Sequence, residues 1–198
     1  MQERPILFSA PMVRAIIEGR KTQTRRVIKP QPLWIGEPNV PFKTNDADRN
    51  GIIKCPYGQP GDRLWVREPH CHVCGDDTFC FPADGFIDCM DCKPRPGFFL
   101  PREASRITLE ITGVRVDRVQ DITNKEAEKE GFLPPLLPEL CCVGVPGAFV
   151  AGAATSFARD WDKIYKNKGL GFGSNPWVWV IEFKKAVERD EREQEPNP

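Results

Sequence analysis

Residues 175–183 read NPWVWVIEF, and this stretch predicts the last β-strand of the chain. A proline precedes its run of β-branched and aromatic residues, and a polar segment follows it. Side chains two positions apart project to the same face of a strand, so Trp177 and Trp179 share one face. We interpret that face as core or barrel wall. The alternative is that these indoles, like that of Trp65, stack on a nucleobase.

Periodicity and capping signals predict the remaining elements of the chain. Alternating or apolar runs predict strands at Ile6–Phe8, at Arg63–Glu68 and at Ser105–Val119, the last with a turn or bulge at Gly113. Helical spacing predicts helices at Pro11–Glu18 and at Thr155–Lys168. A short helix is predicted within Asp121–Gly131, where Thr123 and Glu126 form a capping box and Gly131 ends the helix. Prolines make residues 30–60 and 132–146 irregular connections. The order predicts an α+β fold with a small curved sheet or barrel.

Composition limits the classes of function. The chain has 198 residues and balances 28 Lys and Arg against 28 Asp and Glu, so no overall charge favours a nucleic-acid partner. Its start does not read as a secretory signal, and no apolar run approaches the roughly 18 residues of a membrane helix. We therefore expect a cytoplasmic protein with no membrane partner. In a reducing compartment, its eight cysteines indicate a metal site or reactive thiols.

Four of the cysteines have the spacing of a zinc site. Two Cys-x2-Cys pairs are separated by fourteen residues, and they comprise Cys71, Cys74, Cys89 and Cys92. Four thiolates at this spacing close a tetrahedron around zinc and leave no open position, so the predicted Zn is structural. The alternatives are a cysteine-rich loop without metal or a redox pair. Cys80, His70 or His72 can replace one ligand.

A basic stretch follows the first predicted helix. Between Arg20 and Lys29 there are five cations and no carboxylate, a local charge suited to phosphate, although a solvated loop is the ordinary interpretation. Lys21 and Thr24 lie three residues apart. A lysine with a lowered pKa can act as the base for a threonine nucleophile, although this pair alone is weak evidence.

Several motifs together resemble an ASCH domain, a member of the PUA-like β-barrels associated with RNA. They are GRKTQTR at 19–25, GDRLWV at 61–66, the helix at 121–131 that ends in a glutamate and glycine, and WVIEF at 179–183. The full set is most similar to phage- or prophage-encoded ASCH proteins, which would place the chain in a bacterial host. Residues 30–57, 69–104 and 132–154 interrupt the resemblance.

The resemblance implies a PUA-like small β-barrel with flanking helices. It would span residues 1–184, with a zinc-ribbon-like insertion at 69–104 and a charged flexible tail at 185–198. Small bacterial members hydrolyse the amide of N4-acetylcytidine with a lysine, a threonine and a glutamate, which correspond here to Lys21, Thr24 and Glu130. A surface position on the helix, beside Glu126 and Glu128, is the ordinary interpretation of Glu130.

The expected partner is therefore RNA or a modified nucleoside, with Arg20, Arg25 and Arg26 as binding residues. A non-catalytic nucleic-acid-binding module and a ribonuclease are the alternatives, and a structural virion protein is a more distant one. Glu68 follows a strand and could face the cleft, although pairing with Arg67 or Arg63 is the simpler interpretation.

Overall fold

The computed structural model describes residues 1–36, 40–42, 51–72, 79–85, 93–134 and 152–186. The strands within these ranges are β1 (Glu3–Leu7), β2 (Gln23–Val27), β3 (Trp34–Gly36), β4 (Val40–Phe42), β5 (Arg63–Arg67), β6 (Cys71–His72), β7 (Phe79–Cys80), β8 (Thr108–Arg118) and β9 (Trp177–Lys185). The helices are α1 (Ala10–Ile17), α2 (Asn124–Lys129) and α3 (Ala153–Tyr165). No helix in the described part of the chain combines the length and apolar character needed to cross a membrane. All but the first two residues of the tail expected at 185–198 lie outside the described ranges.

The main sheet has five strands in the order β1-β5-β8-β9-β2. Strand β1 is parallel to β5, and the other neighbours are antiparallel. The mixed α+β class is as expected. The expected closed barrel is not observed, because among the described residues the sheet is open, with β1 and β2 at its edges. Its edge strands β1 and β2 are linked by a side chain, since Arg26 donates to the carbonyl of Leu7 at 2.5 Å. Pro5 in β1 has no N–H group to donate and suits an edge strand.

The two faces of the sheet carry separate apolar clusters. On β9, Trp179, Ile181 and Phe183 join the core that α1 covers. The intervening Val178 and Val180 pack against α2 and α3. Trp177 packs against the first cluster, so both indoles contribute to the core as predicted.

Strand β8 contains the predicted bulge, which changes the direction of its later side chains. Its register with β9 shifts between Ile111 and Gly113. Leu109 and Ile111 before the shift, and Val114 and Val116 after it, therefore all contact the same core cluster. The later alternate residues, Arg115 and Asp117, consequently project to the side of the sheet on which α2 lies.

Helix α2 begins and ends where the sequence predicts. Thr123 accepts from the N–H of Glu126, and the Glu126 carboxylate accepts from the N–H of Thr123, which completes a capping box. Gly131 follows the helix with φ +91°, a conformation that favours glycine. Helix α3 starts two residues earlier than predicted and continues into a 3₁₀ turn, Lys166–Lys168.

The connection predicted to be irregular at residues 30–60 contains a hairpin instead. Strands β3 and β4 pair in antiparallel register, and the rings of Trp34 and Phe42 stack with centroids 4.2 Å apart. The cross-strand aromatic pair stabilises the hairpin. Pro41 does not prevent it, because in a short two-stranded ribbon the missing N–H of a proline is tolerated.

Candidate active site at the edge of the sheet

The candidate site lies along the outer edge of β2. The N–H of Ile28 donates to Trp177 at 3.1 Å, and the N–H of Phe183 donates to Thr22 at 2.9 Å. Hydrogen-bonded pairs alternate along an antiparallel ladder, so the backbone groups of Gln23 and Arg25 face away from β9. The strand thus presents backbone groups to the space between α1 and α3.

Lys21 lies at the entrance to this strand and is only 2% exposed. Its N–H donates to the carbonyl of Ala15 at 2.9 Å, which ties the residue to α1. Its ammonium donates to the carbonyls of Gln23 (2.9 Å) and Glu130 (2.8 Å) and to Glu130 Oε2 (3.1 Å). Burial lowers the pKa of Lys21 below 10.5, and the charges of Arg26 and Arg25 act in the same direction against the opposing effect of Glu130.

The carboxylate of Glu130 contacts both Lys21 and Arg25. It follows the last residue of α2, is 3% exposed, and gives Oε2 to Lys21 and Oε1 to Arg25 at 3.3 Å. The next residue must be small, because a Cβ on Gly131 would lie 2.9 Å from the Cβ of Ala15. Close packing of the end of α2 against α1 therefore buries this glutamate, which would be on the surface of an isolated helix.

A network of carboxylates and arginines holds the guanidinium of Arg25. Its Nη2 lies 3.2 Å from Glu126 and 3.9 Å from Asp117, and Arg115 bridges the same two carboxylates at 2.5 and 3.0 Å. Partial burial raises the pKa of Glu126, but the N–H of Thr123 and the charges of Arg25 and Arg115 together bring it below its usual value. These carboxylates lie around the guanidinium of Arg25, whose Nη1 donates to Glu130 Oε1, while its Nη2 makes no hydrogen bond with any described residue.

A cavity of about 50 Å³ opens beside these groups. Its polar lining comprises Thr24, Arg25, Arg26, Glu130 and Asp160, and its apolar wall comprises Met12, Phe132, Phe157, Trp161, Ile164 and Tyr165. Thr24 is 3% exposed, and within the described part of the chain its hydroxyl makes no hydrogen bond. An uncommitted hydroxyl beside buried charges can serve as a nucleophile.

Contacts with the Phe8 ring indicate the face of β2 on which the ammonium of Lys21 lies. The Phe8 centroid lies 5.4 Å from Lys21 Nζ and 5.3 Å from Arg26 Cζ. Because Thr24 and Arg26 are two apart in a strand, they project to the same face. Lys21 Nζ therefore lies on the face to which the Thr24 hydroxyl projects.

The other residues singled out from the sequence lie elsewhere. Arg20 does not line the cavity, and it pairs with Glu18 and donates to the carbonyl of Gly131 at 3.2 Å. Glu68 is buried but pairs with Arg106 rather than with Arg67 or Arg63. Sequence reasoning missed Asp117, Arg115 and the second role of Glu126, although the alternating charges at 115–117 beside a bulge were an available signal.

Of the four predicted zinc ligands, the structure describes only Cys71. It is buried at the start of β6 and lies opposite Cys80 in the register with β7. Cys74, Cys89 and Cys92 lie outside the described residues. Within the described ranges, no group of three or more side chains could hold a metal ion. The ends of the insertion are joined, because His70 and Arg95 exchange backbone hydrogen bonds at 3.1 and 2.7 Å.

Comparison with known proteins finds similarity at the level of structure. No family model matches the sequence, and no curated protein matches it. The structure is similar to that of the ASCH domain from Lactobacillus crispatus JV V101, with 13% identity and a TM-score of 0.43 over 93% of this chain and 79% of that chain. It is also similar to protein EF3133 from Enterococcus faecalis V583, with 10% identity and a TM-score of 0.43 over 94% of this chain and 81% of that chain. Likenesses of this size decide nothing about activity, and neither protein is described as a phage protein or an amidohydrolase.

Proposed function

We propose that the protein is an amidohydrolase that removes a small acyl group from the exocyclic nitrogen of N4-acylated cytidine. The observation that carries the proposal is Lys21, a fully enclosed lysine whose pKa is lowered by burial. It contacts Glu130, and both Glu130 and the uncommitted hydroxyl of Thr24 line one cavity. Catalytic sites commonly place a titratable group of perturbed pKa next to a cavity.

The reaction begins with the neutral amine of Lys21. Rotation about its Cε–Nζ bond directs the lone pair to the Thr24 hydroxyl, and Lys21 takes that proton as Thr24 Oγ1 bonds to the acyl carbonyl carbon. The tetrahedral intermediate collapses as its C–N bond breaks, and the proton on Lys21 passes to the leaving nitrogen. Cytidine leaves, and the acyl group remains as an ester on Thr24. Water then attacks the ester with Lys21 as base, which releases the carboxylic acid and restores the hydroxyl.

Two further groups support this chemistry. Glu130 positions Lys21 through Oε2 while Arg25 holds Oε1, so the nitrogen of Lys21 has a fixed position. Arg26 lines the cavity, and its Nε has no hydrogen-bond partner among the described residues. A fixed cationic donor of this kind stabilises the negative oxygen of a tetrahedral intermediate.

The size of the cavity limits the acyl group. A water-sized group needs about 10–15 Å³ of such space, so a cavity of about 50 Å³ holds roughly three or four heavy atoms. An acetyl group has that size, whereas a cytosine ring does not. We therefore assign the cavity to the acyl group, with the base at its mouth beside Arg25 and Arg26.

The test is incubation of the purified protein with N4-acetylcytidine and, in parallel, with unmodified RNA. The proposal expects cytidine and acetate from the first substrate and intact RNA from the second. Thr24→Ala should lower the rate at least about a thousandfold, whereas Thr24→Ser should keep measurable activity and give an acetylated protein by mass spectrometry. Shortened RNA with untouched N4-acetylcytidine would instead support the ribonuclease.

We also propose a structural zinc ion held by Cys71, Cys74, Cys89 and Cys92. Its support is the paired Cys-x2-Cys spacing together with the buried position of Cys71 beside the joined ends of the insertion. Four thiolate ligands leave no position for a reacting water, so the ion would hold the insertion together.

A further inference from the structure

The outer side of the sheet, which faces away from α1, differs between its two halves. Over β9 and the end of β8, α2 and α3 cover Val178 and Val180. On β1 and β5 the same side carries partly exposed side chains, including Leu7 at 47% exposure and the half-buried Trp65 and Arg67. Faces that pack against a helix are normally apolar, whereas this half of the sheet carries an indole and arginines.

Two exposed phenylalanines border this half of the sheet. Phe98 is 51% exposed and Phe99 is 59% exposed, and their ring centroids lie 4.0 Å apart. A close backbone approach fixes their position, since a Cβ on Gly97 would lie 2.9 Å from the carbonyl oxygen of Arg67. Arg67 also donates to the carbonyl of Phe98. The two rings are therefore held beside β5 with most of their surface available.

Arginines surround the indole of Trp65. The guanidinium carbons of Arg67 and Arg102 lie 5.2 and 5.9 Å from its ring centroid. Arg102 pairs with Glu3 at 3.0 Å, but neither Arg67 nor Arg63 forms an ion pair with any described residue. The buried Nε atoms of Arg63 and Arg67 have no hydrogen-bond partner in the described part of the chain. Arg67 thus offers a positive charge without an ion-pair partner among the described residues, next to aromatic rings, whereas Arg102 pairs with Glu3 and Arg63 lies between Glu3 and Glu110 in the register of the sheet.

We propose that Trp65, Arg67, Phe98, Phe99 and Arg102, called here the Trp65 face, bind single-stranded nucleic acid. Unpaired bases stack on exposed aromatic rings, and arginines contact the phosphates between them. The positive charge of Arg67, which no described carboxylate pairs, favours a polyanion over a neutral or cationic partner. Stacking requires unpaired bases, so the ligand is single-stranded rather than duplex, and no group of the face is specialised to read a 2′-hydroxyl.

The Trp65 face is connected to the cavity at β2. Arg26 lines the cavity and donates to the carbonyl of Leu7, and Leu7 is the partner of Arg67 in the register of β1 with β5. A single-stranded nucleic acid bound on the Trp65 face can therefore extend past Arg26 to the cavity mouth. The inference does not rest on the proposed deacylation, because binding is measured without turnover.

The test is fluorescence anisotropy with a labelled oligouridylate and the full-length protein. Phe98→Ala/Phe99→Ala should weaken binding roughly tenfold or more, since each stacked base contributes about 1–3 kcal/mol. Arg67→Ala and Arg102→Ala should weaken binding. Each lost phosphate contact should also make the slope of the logarithm of the binding constant against the logarithm of the salt concentration less steep by about 0.7. Oligothymidylate should bind as the RNA does, and a duplex of equal length should bind more weakly.

Matched controls separate the face from general effects. Leu33→Ala removes a side chain that is 65% exposed at another place, and Arg159→Ala removes an exposed arginine of α3. Both variants should bind as the wild type does. The proposal is overturned if the wild type does not bind, if the phenylalanine double variant binds equally well, or if duplex competes as strongly as single strand. Hydrolysis of free N4-acetylcytidine should be unchanged in the double variant, so failure of either proposal is visible separately.

Discussion

Glu130 and Glu68 are the two glutamates that lie in the described part of the chain with almost no exposed surface, and their surroundings differ. Glu68 gives both carboxylate oxygens to one arginine, Arg106, at 2.9 and 3.1 Å, and it does not line the cavity beside β2. Glu130 divides its oxygens between Lys21 and Arg25 and lines the cavity that also contains Thr24. Burial and an arginine partner are common to both.

The surroundings of a buried carboxylate, rather than its burial, distinguish a candidate catalytic group. A buried carboxylate paired with one arginine is explained by structure alone, and such pairs are weak evidence for function. At Glu130 the second partner is a lysine whose pKa burial lowers, and an uncommitted hydroxyl lies in the same cavity. The lysine and the cavity, rather than the carboxylate, distinguish this region.

Replacing each glutamate by glutamine should separate the two roles. We expect Glu130→Gln to lower kcat about a hundredfold, because Lys21 loses the carboxylate that orients it. Glu68→Gln should leave kcat unchanged but reduce the free energy of unfolding by about 2 kcal/mol, below the 3–5 typical of a fully buried pair because Arg106 is partly exposed. Steady-state kinetics and urea unfolding measure the two effects. Equal losses of kcat in both variants would remove the distinction.

The pH dependence of activity sharpens the same comparison. Lys21 reacts as the neutral amine, so kcat/KM should rise about tenfold per pH unit at low pH and level off at the lowered pKa of Lys21, below 10.5. In Glu130→Gln this transition should move to lower pH, because the Glu130 carboxylate raises the Lys21 pKa. In Glu68→Gln it should not move. A wild-type profile that is flat from pH 5 to 10 would contradict the role of Lys21.

The lowered pKa of Lys21 also makes the free energy of unfolding depend on pH. Between the lowered folded pKa and 10.5, the unfolded chain binds a proton at Lys21 that the folded protein does not. The contribution of this residue to the free energy of unfolding therefore rises with pH across that window. The lowered pKa of Glu126 acts at acid pH, where the stability it supplies above pH 4.5 is lost as pH falls through its folded value.

Removal of zinc should have the smallest effect on catalysis. We expect about one zinc per chain, and chelation should lower the melting temperature while changing kcat less than about twofold, because four thiolates leave no position for water. Metal analysis and calorimetry measure these quantities. Much less than one zinc per chain in the purified protein would remove the four-cysteine proposal.

Local signals predicted the elements whose residues are close in sequence. The capping box of Thr123 and Glu126, the bulge at Gly113 and the shared face of Trp177 and Trp179 all occur as predicted. The open sheet and the β3–β4 hairpin were not predicted. Both depend on which distant backbones pair, and a sequence read locally does not contain that information.

The site shows the same limit. Lys21 and Glu130 are separated by 109 positions, and only the resemblance to ASCH domains indicated that they belong together. Taken as a helix residue, Glu130 read as a surface group, and its burial results from the close approach of Gly131 to Ala15. The contacts of Arg25 with Asp117 and Glu126 depend on the bulge, which directs Asp117 toward α2. Arg20 has the same charge and nearly the same position in sequence, but it pairs with Glu18 outside the cavity.

The proposed mechanism requires Lys21 to be the base that activates Thr24. The direct measurement is single-turnover release of cytidine from N4-acetylcytidine by the wild type, by Lys21→Met, which keeps the apolar stem, and by Lys21→Ala. Lys125→Ala, an exposed lysine of α2, is the control. We predict that both Lys21 variants fold, as circular dichroism would show, and lose about 10²–10⁴-fold in rate while the control retains wild-type activity. Folded Lys21 variants that release cytidine at the wild-type rate would show that Lys21 is not the base.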